Sequence, residues 1–296
     1  MKFRIFIVIL LVAAAAVAGR QVSRMRNAGT NADGSTRDEI RRSFRLARSA
    51  RVEVRHINGS VEIETAESET AEVLVVTTAD SPEDLASRRV IIEDSPDSLV
   101  VRSERGTGGG WWRRLWGGGG QVRQQLKLTI PRGASLAVRH VNGPVAVGEM
   151  EAVVEVGQVN GRVEVARVSG RTEVSHVNGG VKLGLAQLDE QGMEVNHVNG
   201  NVEIRLKESL NADIAVSSHN GGFALNAPNV TTQERENRST FRARLGSGGP
   251  EINLRGVNGN VRFESSETRS APPKPDAPDA GNLEPPPLPP PPPTFR

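Results

Sequence analysis

A short repeat that returns every nine residues constrains the fold of this chain more than any other feature. The unit reads apolar-x-apolar-x-x-apolar-x-Gly, with imperfect copies: Thr172 replaces an apolar residue, and the units at Val145 and Val181 lack the closing glycine. Alternate units end in Asn-Gly. Six consecutive units begin at Leu136, Val145, Val154, Val163, Thr172 and Val181.

The repeat continues on both sides of this block. Two nine-residue units make a rung of 18 residues, and two later rungs have 21. Within a rung, apolar-x-apolar alternation predicts strands with one buried face, and Asn-Gly supplies the positive φ of a tight corner. Further pairs of units surround the Asn-Gly steps at Asn58, Asn199, Asn220 and Asn258.

Such periodicity predicts an all-β fold, a β-solenoid of stacked two-strand rungs of 18–21 residues. One rung cannot bury its apolar face alone, whereas stacking places valine over valine and pairs the backbone groups of successive rungs. A meander of Asn-Gly hairpins is the alternative, but it does not require five consecutive nine-residue steps. Only 3% of the residues are aromatic, which suits a narrow core of Val, Ile and Leu.

The ends of the chain differ from the repeat. Residues 1–18 combine Lys2 and Arg4 with an apolar run and a small-x-small site, which is typical of a secretory signal peptide. An uncleaved anchor is the alternative, and either places the body outside the cytoplasm, in the periplasm, envelope or medium. Residues 19–40 are polar and predict a linker, and the Pro-rich residues 266–296 predict a disordered tail.

Between these ends we expect two regions. Residues 41–135 hold the upstream rung at Asn58 and an N-terminal antiparallel capping sheet, with a short helix starting at Ser81. Residues 136–265 form the solenoid proper. Its polar stretch 226–249 predicts a hairpin or long loop within a late rung.

Three phrases carry a resemblance to a known bacterial family. Arg-His140-Val-Asn-Gly, Ser-His176-Val-Asn-Gly-Gly-Val and Asn-His197-Val-Asn-Gly-Asn-Val-Glu-Ile resemble the "putative adhesin" family of β-strand-repeat domains of unknown function, whose hallmark is Val-Asn-Gly-x-Val-x-Val. The resemblance covers about residues 48–265. It implies an envelope-associated protein without catalytic residues, and some relatives are linked to envelope-stress signalling.

A glycine-flanked finger at 108–120 is the first candidate site. Trp, Leu and Arg together are favoured at membrane–water interfaces, and Trp and Arg also at protein interfaces. A hairpin tip folded back on the sheet is the alternative. The residues predicted to contact a membrane or partner are Trp111, Trp112, Arg113, Arg114 and Trp116.

All five histidines lie at the Asn-Gly corners, so rungs in register would stack most of them in a column. His140, His176 and His197 are the candidate ligands for a transition metal. A column of rings that only covers the corner is the alternative, and Gln158 interrupts it. Glu155, Glu173 and Glu194 form a similar outward column, read either as a divalent-cation site or as a solvated face.

The corner asparagines predict a structural ladder of amides, because each side chain can bond the next rung. The predicted members are Asn58, Asn142, Asn160, Asn178, Asn199, Asn220 and Asn258.

The sequence favours a non-enzymatic exported scaffold, adhesin-like, that contacts a membrane surface, a cell-surface polysaccharide or an envelope protein. A polysaccharide-acting β-helix enzyme is an alternative, but such sites need converging carboxylates and the glutamates here repeat regularly. A self-assembling scaffold is a second alternative, but the signal peptide and the capping sheet argue against it, and we expect a monomer. With a net charge of +2 and no cysteine, nothing points to nucleic acid, thiolate metal sites or a cofactor.

Overall fold

The computed structural model describes residues 25–30, 35–106, 120–237 and 239–265. The predicted signal peptide 1–18 and tail 266–296 lie outside these residues, as does the finger up to residue 119. In the described chain the helix is α1 (Pro82–Ala86). The strands are β1 (Met25–Thr30), β2 (Thr36–Arg45), β3 (Arg51–Arg55), β4 (Gly59–Ala66), β5 (Thr70–Ala79), β6 (Arg88–Ser95), β7 (Ser98–Arg105), β8 (Val122–Pro131), β9 (Ser135–Val141), β10 (Val145–Met150), β11 (Val154–Val159), β12 (Val163–Val168), β13 (Thr172–Asn178), β14 (Val181–Leu185), β15 (Met193–Asn199), β16 (Val202–Leu206), β17 (Ala212–Ser217), β18 (Phe223–Asn226), β19 (Val230–Arg235), β20 (Phe241–Leu245), β21 (Glu251–Asn258) and β22 (Val261–Ser265).

These strands form two sheets whose inward faces share one hydrophobic core. The first sheet runs β1-β2-β5-β8-β4-β10-β12-β14-β16-β22-β18, and the second β19-β20-β17-β21-β15-β13-β11-β9-β3-β7-β6. Each rung contributes one strand to each sheet, and the apolar positions of the repeat are buried in a single cluster. The structure therefore confirms the all-β solenoid of stacked two-strand rungs.

Neighbouring rungs pair in parallel and in register. Val154 lies between Leu136 and Thr172, so each inward position continues a column through the stack. Thr172 is fully buried in this column, and its Oγ1 donates to the carbonyl of Gly170 at 3.4 Å. Thr172 is therefore tolerated in the apolar column because its hydroxyl has a local hydrogen-bond acceptor.

Rung order along the stack differs from rung order along the chain. The last rung, β21–β22, inserts between β15–β16 and β17–β18, and Ile252 faces Met193 on one side and Ile214 on the other. At the other end, β3–β4 stacks directly on β9–β10 although their corner asparagines, Asn58 and Asn142, are far apart in sequence. Insertions therefore leave the stack without breaking its register.

Antiparallel strands cap the stack by extending its two sheets. On the first sheet β8 pairs in parallel with β4, and β5, β2 and β1 follow antiparallel. On the second sheet β7 pairs in parallel with β3, and β6 follows antiparallel. The N-terminal cap is antiparallel as predicted, but it continues the two sheets instead of packing across their ends.

The prediction of a linker at residues 19–40 is wrong where the structure describes it. Residues 25–30 are β1 and residues 36–40 begin β2, which pairs along its whole length with β5. Backbone hydrogen bonds to β5 specify this strand more than side-chain burial does, because the inward positions Thr36 and Asp38 are polar. At the far end, the stretch 226–249 contains the predicted hairpin, β19 and β20, which adds to β17.

Close approach at the corners predicts a sharp contrast between two adjacent glycines. At Gly179, φ is +155° and an added Cβ would lie 2.3 Å from the carbonyl oxygen of Gly161. We expect Gly179→Ala to lower the free energy of unfolding by about 2–4 kcal/mol. At Gly180 an added Cβ would meet nothing nearer than 3.7 Å, so Gly180→Ala should change the free energy of unfolding by less than about 1 kcal/mol. Urea unfolding of both variants tests this, and equal stabilities would contradict it.

Candidate functional site at the Asn-Gly corners

Two residues adopt positive φ at six of the seven corners, and one does at the Asn160-Gly161 corner. The corner glycines Gly59, Gly143, Gly179, Gly200, Gly221 and Gly259 lie between +146° and +156°. The residue two positions before the asparagine is left-handed, with φ of 54–58° at His56, His140, Gln158, His176, His197 and Ser218 and 65° at Gly256. The sequence predicted the first feature and missed the second. Histidine tolerates the left-handed region better than most residues, which gives a backbone reason for its recurrence.

The corner asparagines form a continuous amide ladder along one edge of the stack. Each Nδ2 donates to the Oδ1 of a neighbouring rung at 2.8–3.2 Å, in the spatial order 58, 142, 160, 178, 199, 258, 220. At the N-terminal end, Asn58 Nδ2 donates to the carbonyl of Val122 at 2.6 Å. The side-chain amides hydrogen-bond to one another, so all seven predicted ladder residues have a structural role in joining the rungs.

The histidines form two separate pairs. His56 stacks on His140 with ring centroids 4.7 Å apart, and His176 stacks on His197 at 4.9 Å. Gln158 occupies the intervening rung. The structure thus brings His176 and His197 together but not His140 with them.

This arrangement is a poor metal centre. Stacked rings present their faces to each other, whereas a metal needs converging ring nitrogens. Across the described residues, no three His, Asp or Glu side chains lie close enough to hold a metal ion. The fifth histidine, His219, is buried instead, with Nε2 3.0 Å from the carbonyl oxygen of Gly259.

The glutamate column is a solvated face with basic neighbours. Glu155, Glu173 and Glu194 lie in register on adjacent strands. Arg139 approaches Glu155 at 2.7 Å, and Arg171 approaches Glu173 at 3.2 Å. These two guanidinium groups reduce the repulsion within the column.

Charges on the first sheet alternate in a similar way. Lys182 lies between Glu164 and Glu203 and approaches the latter at 3.1 Å. Partial burial acts to raise the pKa of Glu203, but hydrogen bonds from Lys182 and Arg205 outweigh it and hold that pKa below its usual value. Exposed pairs of this kind contribute little stability and mainly keep the two outer faces soluble.

Trp111, Trp112, Arg113, Arg114 and Trp116, the predicted contact residues, lie outside the described residues. Both flanks of their segment are anchored beside α1. The Gly106 N–H donates to the Ser87 carbonyl at 2.8 Å, and the Gly120 N–H donates to Asp84 Oδ1 at 3.2 Å. Ser81 caps α1 as predicted, and its hydroxyl accepts from the Asp84 N–H.

Comparison with known proteins finds a family model that is similar to most of the rungs. Residues 145–264 match the Toastrack DUF4097 family model, which confirms the resemblance predicted from the Val-Asn-Gly phrases. No curated protein matches. A "putative cell adhesion protein" from Clostridium sporogenes is 10% identical and covers 83% of this chain and 100% of its own, with a TM-score of 0.37. A "putative adhesin" from Bacteroides fragilis is 9% identical and covers 76% and 96%, with a TM-score of 0.31.

Left-handed strain and ring stacking can be separated at one corner. His176→Gly and His176→Val both remove the contact with His197, but only valine is strained at φ 54°. We expect the valine variant to be about 1–2 kcal/mol less stable than the glycine variant in urea unfolding. Equal stabilities would show that the backbone does not select the residue here.

Zinc should not bind at the histidine pairs. Titration of the chain with zinc in a calorimeter is expected to give no heat at micromolar metal, because the rings face one another and no third ligand converges. Stoichiometric zinc binding that His176→Gly abolishes would contradict this.

Proposed function

We propose, from the Toastrack DUF4097 domain at residues 145–264, that this protein is a non-enzymatic, adhesin-like scaffold exported to the cell envelope or beyond. The observation that carries the proposal is the continuous asparagine ladder that joins all seven rungs. A stack in which each rung is bonded to the next along a whole edge is stiff, and stiffness suits presentation of a contact element.

The outer faces support binding more than catalysis. Successive strands lie about 4.8 Å apart, so their outward side chains form straight rows. Catalytic sites require groups from different directions to converge on one reacting atom. On the described rungs the charged groups repeat along rows and pair with their neighbours, as Lys182 does with Glu203.

We assign the contact element to the Trp- and Arg-rich residues 108–120 and its target to a membrane surface. The anchored flanks at Gly106 and Gly120 support this, because they hold both ends of the segment at one place beside α1. Tryptophan and arginine together favour the headgroup region of a bilayer. An envelope protein or polysaccharide is the competing target.

The ends of the stack bear on whether copies of the chain associate. Antiparallel strands extend both sheets beyond the first rung, and they extend the second sheet beyond β17 at the other end. They interrupt parallel stacking there, which favours a monomer over an end-to-end polymer. Among the described residues, no helix is long and apolar enough to span a bilayer. Export through the signal peptide at residues 1–18 is part of the proposal.

Liposome co-sedimentation tests the membrane contact. The chain beginning at Gly19 is compared with its Trp111→Ala, Trp112→Ala, Trp116→Ala variant on vesicles that contain phosphatidylglycerol. We expect the bound fraction to fall several-fold in the variant, because three interfacial rings are lost.

A charge-matched pair tests the arginines in the same assay. Arg113→Gln, Arg114→Gln should weaken binding, whereas Arg167→Gln, Arg262→Gln on the first sheet removes the same charge and should not. Equal binding by all four proteins would end the membrane proposal, and binding only to purified envelope polysaccharide or protein would transfer the function to that partner.

A further inference from the structure

Arginines from three strands meet at the N-terminal end of the second sheet. Arg55 on β3 faces Arg102 on β7, and Arg105 on β7 faces Arg88 on β6. The four side chains line a cavity of about 340 Å³ together with His56, Ser103 and Glu104. Its volume is at the small end of the usual range for ligand pockets.

Within the part of the chain that the structure describes, two of these arginines have carboxylate partners and two do not. Arg102 pairs with Glu93 at 2.7 Å and also with Glu104, and Arg55 pairs with Glu53. The hydrogen bond from Arg55 holds the pKa of Glu53 below its usual value, against the opposing effect of burial. Arg88 and Arg105 make no ion pair with any residue the structure describes. The cavity therefore has an excess of positive charge, and repulsion between adjacent strands is only partly offset.

Two buried donors on the same cavity lack an acceptor from any residue that the structure describes. Ser103 is 4% exposed, and its Oγ has no hydrogen-bond partner, nor has the buried Nε of Arg55. Ser103 continues the inward row of Leu99 and Val101, where an apolar side chain would fit the core. An unsatisfied buried donor costs about 1–3 kcal/mol, so packing alone does not explain a serine here.

We propose that this cavity binds the phosphate group of a phosphate-bearing ligand. Tetrahedral oxyanions accept several hydrogen bonds at once, and guanidinium groups donate to them in pairs. Arg88 and Arg105, which make no ion pair with a described carboxylate, supply positive charge, and the Ser103 hydroxyl and the Arg55 Nε–H supply the buried donors. The proposal rests on residues of β3, β6 and β7 and does not depend on the proposed membrane contact.

Calorimetric titration of the full chain with inorganic phosphate is the first arm of the test. We expect Arg88→Gln, Arg105→Gln to weaken binding at least tenfold, while the charge-matched Arg167→Gln, Arg262→Gln leaves it unchanged. The second arm measures binding to vesicles with phosphatidylglycerol or with phosphatidylcholine alone, which separates a lipid headgroup from a free phosphate.

Ser103→Ala distinguishes a ligand-binding role from a structural one. It should weaken phosphate binding several-fold without lowering the melting temperature, because it removes a buried hydroxyl that has no partner. The site is supported if the Arg88, Arg105 variant loses binding to inorganic phosphate or to phosphatidylglycerol vesicles while the Arg167, Arg262 control keeps it. The probe that is lost shows whether the bound phosphate group is free phosphate or a lipid headgroup. The proposal is overturned if the Arg88, Arg105 variant and its control bind both probes equally.

Discussion

Backbone contact between corner glycines sets the geometry on which the rest of the stack depends. At most Asn-Gly corners the position a Cβ would take lies 2.2–2.4 Å from the carbonyl oxygen of the neighbouring rung's glycine, as at Gly143 over Gly59. Only glycine allows that approach, and the approach fixes the register to a single residue. Once the register is fixed, equivalent residues of successive rungs lie opposite one another. The apolar columns, the asparagine ladder and the outward rows all follow from this alignment.

The sequence predicts what the repeat encodes and misses what lies between repeats. The nine-residue phase locates the rungs, the buried columns and the amide ladder. The repeat does not predict the order of the rungs in the stack. The units at Ile214 and Ile252 carry similar apolar patterns, so the pattern does not tell which of them stacks against Met193. Backbone hydrogen bonds to β5 likewise make a strand of residues 36–40, whose polar side chains predict a linker. Pairing with a preformed edge leaves little trace in the sequence of the added strand.

Repetition also limits the chemistry a rung can perform. A side chain at a repeated position meets its own kind about 4.8 Å away, so its hydrogen bonds and charge are taken up by neighbours. The histidine pairs and the Glu155 column show this, with rings stacked on rings and carboxylates matched by arginines. Functional groups are therefore expected where the repeat is interrupted, and the cap inserted after the first rung is the largest interruption at the N-terminal end.

Two buried hydroxyls show how an interruption differs from a rung. Thr172 stands in an apolar column, and the backbone of its own corner provides an acceptor at Gly170. Ser103 stands in the equivalent inward row of β7, where the antiparallel strand β6 follows in place of another rung, and its hydroxyl has no acceptor among the described residues. The first polar residue is accounted for by the fold. The second lies beside Arg88 and Arg105, which have no carboxylate partner in the described ranges, and an acceptor from outside the chain would satisfy all three.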